Sequence, residues 1–250
     1  MLIARDGGEG PTYPLGDSVD IGRSEGQIVI AEDKYMSPRH ARLFLRGGAY
    51  YVRDLESTNG IFVRIPFARA PNAHAHAQER GAAGAASAAG ANEGSGVAAE
   101  QVLADQDLFL VGQQVLRFEV VRHAEEGFGV ASENGTLLFG TPAAPRYARL
   151  SQRTVEGVVR DVFHLRKAET VLGRETGDIV FTDDPFLSRR HATVRVQMSP
   201  ASPSSAGGQP RFALVDLGSS NGTFLQVREE VRLRHGDHFR IGQQLFRFDT

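Results

Sequence analysis

Apolar and polar residues alternate over short stretches of the chain, as they do in strands with one buried face. The alternation is clearest at 116–120 and 246–248. The runs 50–52 and 212–215 consist of residue types that favour strands. No long stripe of helical period competes with these runs, so the pattern predicts an all-β chain.

Four short blocks occur twice in the same order, which marks an internal repeat. The paired blocks are Ile21-Gly22-Arg23 with Leu172-Gly173-Arg174, Ser37-Pro38-Arg39-His40-Ala41 with Ser188-Arg189-Arg190-His191-Ala192, the runs 54–60 with 216–222, and 112–118 with 242–248. Self-similarity of this kind constrains architecture more firmly than a single motif does. It predicts two copies of one unit, at 1–122 and 146–250.

Low-complexity segments interrupt and separate these units. An insertion at about 68–99 holds 14 Ala and 5 Gly in 32 residues, and 199–210 is rich in Ser, Pro and Gly. Neither segment can bury a core, so both are predicted to be surface loops. The stretch 123–145 is rich in Gly and Pro and predicts a linker with a flexible reach on the order of 25 Å.

Two Asn-Gly pairs lie between strand-like runs, and each predicts a hairpin turn. They are Asn59-Gly60 and Asn221-Gly222. Gly permits the positive φ that such turns require, while the Asn side chain remains available to a ligand.

Composition excludes several classes of function. The 250 residues include 28 Lys and Arg, 30 Asp and Glu, and no Cys. The balanced charge provides no general basic field for nucleic acid or an anionic membrane, and the lack of Cys excludes disulfides and a thiol nucleophile. No apolar run approaches the roughly 18 residues of a membrane helix and no secretory signal is visible, so a cytoplasmic location is expected.

The order of the repeated motifs resembles the forkhead-associated (FHA) domain. Gly-Arg is followed by Ser-x-x-His, with the Ser fourteen residues after the Arg, and then by Asp-x-x-Ser-x-Asn-Gly. The resemblance occurs twice and covers nearly all of the chain outside the loops and linker. It implies a bacterial-like tandem protein with two β-sandwiches of about eleven short strands each. The loops at one end of each sandwich would bind a phosphothreonine in an extended peptide.

The repeated residue types suit such a ligand. A phosphothreonine brings about −1.5 to −2 charges and three acceptor oxygens, so its site must supply donors. Arg offers a planar fork of N–H groups, and Asn can both accept from and donate to an extended main chain. The candidate binding residues are Arg23, Ser37, Thr58 and Asn59 in the first copy, and Arg174, Ser188, Arg189, Ser220 and Asn221 in the second.

The remaining repeated residues are predicted to shape the loops. His40 and His191 are expected to be buried and to bond the loop backbone, and not to act as catalytic bases. Asp54 and Asp216 are expected to brace the loops as acceptors. The structural set is Gly22, His40, Gly60, Gly173, His191 and Gly222.

The two copies differ beside the candidate serine. Pro38 follows Ser37, and Pro has neither a backbone N–H nor a side-chain donor. Arg189 follows Ser188. Because FHA proteins often use this position to contact the phosphate, the resemblance predicts that the second copy binds more tightly.

The leading hypothesis is a phosphothreonine-binding adaptor in Ser/Thr kinase signalling, with no catalytic residue, cofactor or metal. Its partner would be a phosphothreonine-containing protein such as a kinase or a kinase substrate. Two sites on a flexible linker predict avidity for clustered phosphothreonines. Thr141-Pro142 adds the possibility of self-association through a phosphorylated linker.

Two alternatives remain, the first a binding module like the leading hypothesis and the second from a different class of function. One is a phosphate-independent protein scaffold that uses the same loops or the faces of the sandwiches. The other is a metal-dependent hydrolase built on His40, His74 and His76. The hydrolase would need a paired acid and base or a full ligand set, and the sequence contains neither.

Overall fold

A computed structural model of the chain describes residues 1–3, 8–66, 100–121, 131–141, 144–198 and 210–250. Every regular element in these ranges is a strand, which confirms the predicted fold class. This part of the chain contains no helix with the length and apolar character needed to cross a membrane. The insertion at 68–99, with His74 and His76, lies outside the described residues, as does nearly all of 199–210.

The strands are β1 (Leu2–Ile3), β2 (Ser18–Gly22), β3 (Ile28–Val29), β4 (Ala41–Arg46), β5 (Ala49–Asp54), β6 (Ile61–Arg64), β7 (Gln101–Leu103), β8 (Leu108–Val111), β9 (Gln114–Val120), β10 (Ser132–Glu133), β11 (Thr136–Leu137), β12 (Ala148–Arg153), β13 (Val159–Leu165), β14 (Glu169–Gly173), β15 (Ile179–Val180), β16 (Ala192–Met198), β17 (Pro210–Asp216), β18 (Thr223–Gln226), β19 (Glu230–Arg232), β20 (His238–Ile241) and β21 (Gln244–Arg247). The runs in which the sequence predicted strands fall in β5, β9, β17 and β21, and only the last of these runs, 246–248, extends one residue beyond its strand.

Three large sheets build two sandwiches. Two sheets have five strands each, in the orders β3-β2-β4-β5-β19 and β15-β14-β16-β17-β7. The third has nine strands, in the order β1-β21-β20-β6-β18-β8-β9-β12-β13. One apolar core joins β2 to β5 with β6, β20 and β21, and a second joins β14 to β17 with β8, β9, β12 and β13. Each five-stranded sheet therefore covers one half of the long sheet.

Each sandwich is completed by strands from the other half of the chain. In the first sandwich, Val52 of β5 pairs with Val231 of β19, and β20 and β21 lie beside β6 and β1. In the second, Phe212 of β17 pairs with Leu103 of β7, and β8 and β9 lie beside β18 and β12. The pairing thus crosses the division predicted at 1–122 and 146–250, and neither range contains a whole sandwich.

This exchange of strands between the two halves of the chain is centred on β6 and β18, which pair with each other in antiparallel orientation. Their ladder extends beyond the strands, because Ile65 N–H donates to the Thr223 carbonyl and Val227 N–H donates to the Ile61 carbonyl, at 2.9 and 2.8 Å. Only residues 227–229 connect β18 to β19. A short connection of this kind favours exchange, because the chain can continue in an extended path instead of folding back.

The hairpins predicted at the two Asn-Gly pairs are wrong. After Asn59-Gly60 the chain passes from β5 in one sheet to β6 in the other, and the second copy does the same from β17 to β18. Gly60 and Gly222 have φ of 76° and 81°, but neither Asn has a positive φ. A type I′ hairpin needs both residues in that region. Such a turn occurs inside the predicted linker, where Asn134 (φ 50°) and Gly135 (φ 77°) join β10 to β11.

Candidate functional site

Three loops converge at one end of each sandwich and carry the candidate binding residues. In the first sandwich they are 23–27 after β2, 30–40 after β3 and 55–60 after β5. The corresponding loops in the second are 174–178, 181–191 and 217–222. The fold therefore brings together, in each copy, residues that lie in three separate blocks of sequence.

Hydrogen bonds hold the first site together. Arg23 N–H donates to the Ser37 carbonyl at 2.9 Å, and Thr58 N–H donates to Ser37 Oγ at 3.0 Å. Asn59 Nδ2 donates to the Tyr35 carbonyl at 2.9 Å. The Asn side chain thus positions the loop 30–40, called the Ser loop here as is its counterpart 181–191, and leaves its own carbonyl oxygen for an extended ligand.

The second site repeats this arrangement bond for bond. Arg174 N–H donates to the Ser188 carbonyl at 3.0 Å, and Ser220 N–H donates to Ser188 Oγ at 3.1 Å. Asn221 Nδ2 donates to the Phe186 carbonyl at 2.8 Å. In both copies the serine oxygen accepts a backbone N–H. The Ser37 hydroxyl also donates to Thr58 Oγ1 over a long 3.4 Å, a bond that a ligand would have to replace, whereas the Ser188 hydroxyl hydrogen can turn towards a ligand directly.

Gly22 and Gly173 allow two of the loops to pack directly against each other. A Cβ at Gly22 would lie 2.1 Å from the Pro38 carbonyl oxygen, and one at Gly173 would lie 2.1 Å from that of Arg189. No side chain fits at such distances. The same two carbonyls accept backbone N–H groups from the loops that follow the candidate arginines, from Glu25 in loop 23–27 at 2.9 Å and from Thr176 in loop 174–178 at 3.2 Å.

The two repeated histidines are fully buried beneath the loops. His40 Nδ1 accepts the Ser37 N–H at 3.0 Å, and its Nε2 lies 3.0 Å from the Gly60 carbonyl. His191 contacts Ser188 and Gly222 in the same way. An Nδ1 that accepts must be unprotonated, so Nε2 carries the hydrogen and donates it. Burial lowers the pKa of His191 below its ordinary value, which favours this neutral form.

A relay of polar contacts shapes the Asn-Gly turn. Asp54 accepts the N–H and the hydroxyl of Ser57, and Ser57 Oγ accepts the Gly60 N–H at 2.9 Å. The second copy has the same relay from Asp216 through Ser219 to Gly222. Each Asp thereby fixes the turn that presents the neighbouring Asn.

Two further residues hold the Ser loops in place, and the sequence analysis did not single them out. Asp33 is 3% exposed; its Oδ2 accepts Gln243 N–H at 2.8 Å and Gln244 Nε2 at 3.0 Å. Asp184, 2% exposed, makes the equivalent bonds to Gln113 and Gln114. In each sandwich, the loop that carries the candidate serine is therefore tied to a hairpin from the other half of the chain. The signal was present, since both aspartates fall within the repeat.

The charges around the two candidate arginines differ. Among the described residues, no carboxylate lies within salt-bridge distance of Arg23. Glu175, in contrast, bridges the two arginines of the second site: Arg174 Nη2 lies 2.8 Å from Glu175 Oε1, and Arg189 Nε lies 3.2 Å from Oε2. The repeat has Ser24 at the position of Glu175. A phosphate would have to displace this carboxylate in the second site but not in the first.

The arrangement can bind an anion but shows no catalytic constellation. Each site supplies a guanidinium, a serine hydroxyl and an amide carbonyl, and both nitrogens of its histidine are engaged by backbone. Within the described ranges, no cluster of three or more His, Asp or Glu side chains could hold a metal ion.

Comparison with known proteins agrees with this description. The FHA domain family matches residues 19–72 and 170–242, together just over half of the chain. The Oxoglutarate dehydrogenase inhibitor of Corynebacterium diphtheriae is 31% identical over 131 residues, covering 52% of this chain and 81% of that protein. The FHA domain-containing protein FhaB of Mycobacterium tuberculosis is 49% identical over 43 residues, covering 17% and 28%.

Among solved structures, one described as "Structural and functional analysis of phosphothreonine-dependent FHA domain interactions" is 27% identical to the chain. It covers 37% of this chain and 86% of its own, but with a TM-score of only 0.20 it has no bearing on the fold. The family match spans the loops of both sites, from Arg23 to Asn59 and from Arg174 to Asn221. The chain belongs to the FHA domain family.

Proposed function

We propose that the chain is a non-catalytic adaptor that binds phosphothreonine-containing proteins through the three loops at the end of each sandwich. The observation that carries this proposal is the duplicated cluster of Arg, Ser and Asn, held in the same geometry in both copies. Ser/Thr kinase signalling in the cytoplasm is the proposed setting.

The chemistry of the cluster matches a phosphorylated side chain in an extended peptide. Arg23 and Arg174 can each donate two parallel N–H groups to phosphate oxygens, and charge-assisted bonds of this type are the stronger ones. Ser37 and Ser188 add a hydroxyl. Asn59 and Asn221 retain a carbonyl that can accept from the backbone of the residue next to the phosphothreonine.

The names of relatives support a role in binding. One relative is called an inhibitor of oxoglutarate dehydrogenase and another an FHA domain-containing protein. An inhibitor acts by binding its target. The partner proposed for this chain is a protein that carries phosphothreonine.

A hydrolase built on His40 has little support from the geometry. Both ring nitrogens are occupied by the backbone of the loops, and the ring is fully buried. A general base must reach the proton that it abstracts, and this ring has no nitrogen left for that task.

The test is calorimetric titration of the full chain with library-selected phosphothreonine peptides, and with their phosphoserine and unphosphorylated forms. The second site is measured in an Arg23→Ala background. There, Arg174→Ala should weaken binding by about 10- to 150-fold, because charged hydrogen bonds contribute about 1.5–3 kcal/mol. Arg174→Lys should recover part of the loss, since it keeps the charge without the fork.

The matched control is Arg166→Ala, which removes an exposed arginine outside the site loops. Its affinity should equal that of the Arg23→Ala background. Equal binding of phosphorylated and unphosphorylated peptides would favour the phosphate-independent scaffold. Unchanged affinity in a folded Arg174→Ala variant would refute the site assignment.

A further inference from the structure

The antiparallel pairing of β6 with β18 fixes the direction of each candidate site. Each strand begins directly after the Asn-Gly turn of its own site, at Gly60 for β6 and at Gly222 for β18. Because the two strands run in opposite directions, their first residues lie at opposite ends of the shared ladder. The two sites therefore lie at opposite ends of the molecule and face away from each other.

The register of the ladder gives the distance between the turns. Val63 is paired with Leu225, and each turn glycine lies three residues before its own member of that pair. Six residue rises of about 3.3 Å separate the glycines by about 20 Å along the strands. A Cβ at Gly60 would touch Gln226, and one at Gly222 would touch Arg64, so each strand ends beside the turn of the other site.

Strand exchange makes this separation a property of the fold and not of the linker. The Ser loop of the first site is bonded through Asp33 to Gln243 and Gln244, and that of the second through Asp184 to Gln113 and Gln114. The sites are thus attached to a continuous nine-stranded sheet. A linker of any length between β9 and β12 would leave the distance between them unchanged.

We propose that the chain is a bridge that joins two separate phosphothreonine-bearing partners. It does not bind two closely spaced phosphothreonines of one partner at both sites at once. This inference rests on the proposed function. Two phosphothreonines fewer than six residues apart cannot span about 20 Å even in a fully extended chain, at about 3.3–3.6 Å per residue. The straight path between the sites is also filled by protein. Closely spaced phosphosites therefore gain no avidity.

The test is a capture experiment with the full chain. A peptide for the first site is selected from a phosphothreonine library on the Arg174→Ala variant, and a peptide for the second site on Arg23→Ala. The first peptide is immobilised at low density, the full chain is added, and the second peptide, fused to a reporter protein, is added last. The expected result is a stable ternary complex with the wild-type chain and with Arg166→Ala.

Two variants show how the bridge forms. Arg23→Ala should abolish capture on the first peptide, and Arg174→Ala should be captured but recruit no reporter. A ternary complex that persists in either variant would mean that a peptide is held outside its assigned site, and one restored by mixing the two variants would mean that a dimer of chains makes the bridge; either result would overturn the proposal. A wild-type chain that binds each peptide singly but never both at once would also overturn it.

Doubly phosphorylated peptides provide an independent arm. With phosphothreonines three or five residues apart, the affinity should stay within about twofold of the singly phosphorylated peptide, the statistical gain for two choices of site. A gain of tenfold or more in a 1:1 complex would contradict the opposed geometry. If neither site prefers phosphorylated over unphosphorylated peptide, the proposed function itself fails, which the single-peptide titrations detect separately.

Discussion

The carboxylate of Asp33 accepts the backbone N–H of Gln243 at 2.8 Å and so joins two residues that are 210 positions apart. Asp184 and Gln113 form the counterpart of this bond in the second sandwich, also at 2.8 Å. Each bond links the loop with the candidate serine to the start of a strand from the other half. The two sites are therefore built jointly by both halves of the chain.

Engineered disulfides can report on the strand exchange, because the chain has no Cys of its own. Arg53 of β5 is paired with Glu230 of β19, so Arg53→Cys combined with Glu230→Cys should form a disulfide under mild oxidation. A protease site placed at 138–141 would then cut the chain into two fragments. These fragments should stay covalently joined on a non-reducing gel and separate on reduction.

The matched control combines Arg53→Cys with Glu100→Cys. Glu100 occupies the position in the first half that Glu230 occupies in the second. In the structure Glu100 bonds to Arg195 in the other sandwich, so this pair should remain reduced. Oxidation of the control pair, together with a reduced Arg53/Glu230 pair, would show that the strands are not exchanged.

Asp184→Asn should lower both the melting temperature and the affinity of the second site. The buried carboxylate accepts three donors, from Gln113, Gln114 and the Phe186 N–H, and an Asn would turn its own NH₂ group towards one of them. The expected loss of unfolding free energy is about 1–3 kcal/mol. Thermal unfolding should show no such change for Asp183→Asn, whose side chain is exposed. Equal melting temperatures for the two variants would contradict the role given to Asp184.

Replacing Glu175 should strengthen the second site. Glu175→Ser introduces the residue found in the first copy and frees Arg174 and Arg189 from the carboxylate that now bridges them. Affinity for a phosphothreonine peptide should rise several-fold at low salt, and the gain should shrink at 1 M salt, where the Debye length falls to about 3 Å. The reciprocal Ser24→Glu should weaken the first site. An unchanged affinity in both variants, measured by calorimetry, would show that this carboxylate does not compete.

The relative affinity of the two sites therefore depends on Glu175 as well as on the difference between Pro38 and Arg189. The tighter second site remains a prediction, and Glu175 opposes it. Titrations of Glu175→Ser and Pro38→Arg, each with the other site disabled, separate the two effects.

Acidification should weaken the fold through His191. Burial lowers its pKa in the folded chain, whereas the unfolded chain has the ordinary value near 6.5. Stability from this residue is therefore full above about pH 6.5 and is lost as the pH falls towards the folded pKa, because the unfolded state then binds the additional proton. Urea unfolding between pH 7.5 and 5 should show this loss.

The matched comparison is His191→Gln, which cannot take up the proton. Its stability should fall less than that of the wild type over the same pH range. Burial also lowers the pKa of His238, which adds a loss of the same sign in both proteins and cancels in the comparison. Parallel pH profiles for the two proteins would contradict the prediction.

The sequence predicted the all-β class, the family and the blocks that form each candidate site, because these depend on local patterns and on an internal repeat of motifs in the same order. The exchange could not be predicted, since Gly112-Gln113-Gln114 and Gly242-Gln243-Gln244 are identical and either can satisfy Asp33 or Asp184. The prediction of hairpins at the two Asn-Gly pairs was wrong for a related reason. A positive φ at Gly60 is required by a hairpin and equally by a crossing between sheets, and only the partner strands distinguish the two.

The exchange of strands also determines the order in which the two sandwiches can be completed during synthesis. β6 ends at Arg64, but β21, which pairs Phe246 with Leu2, ends at Arg247, 183 residues later. At about 5–20 residues per second, a ribosome needs roughly 10 to 40 seconds to make the intervening chain. During that interval the apolar face of the first five-stranded sheet is not covered by β20 and β21. The nascent chain therefore has to be shielded or to pair provisionally with β7, β8 and β9. The first sandwich to begin synthesis is therefore the later one to reach its final set of strands.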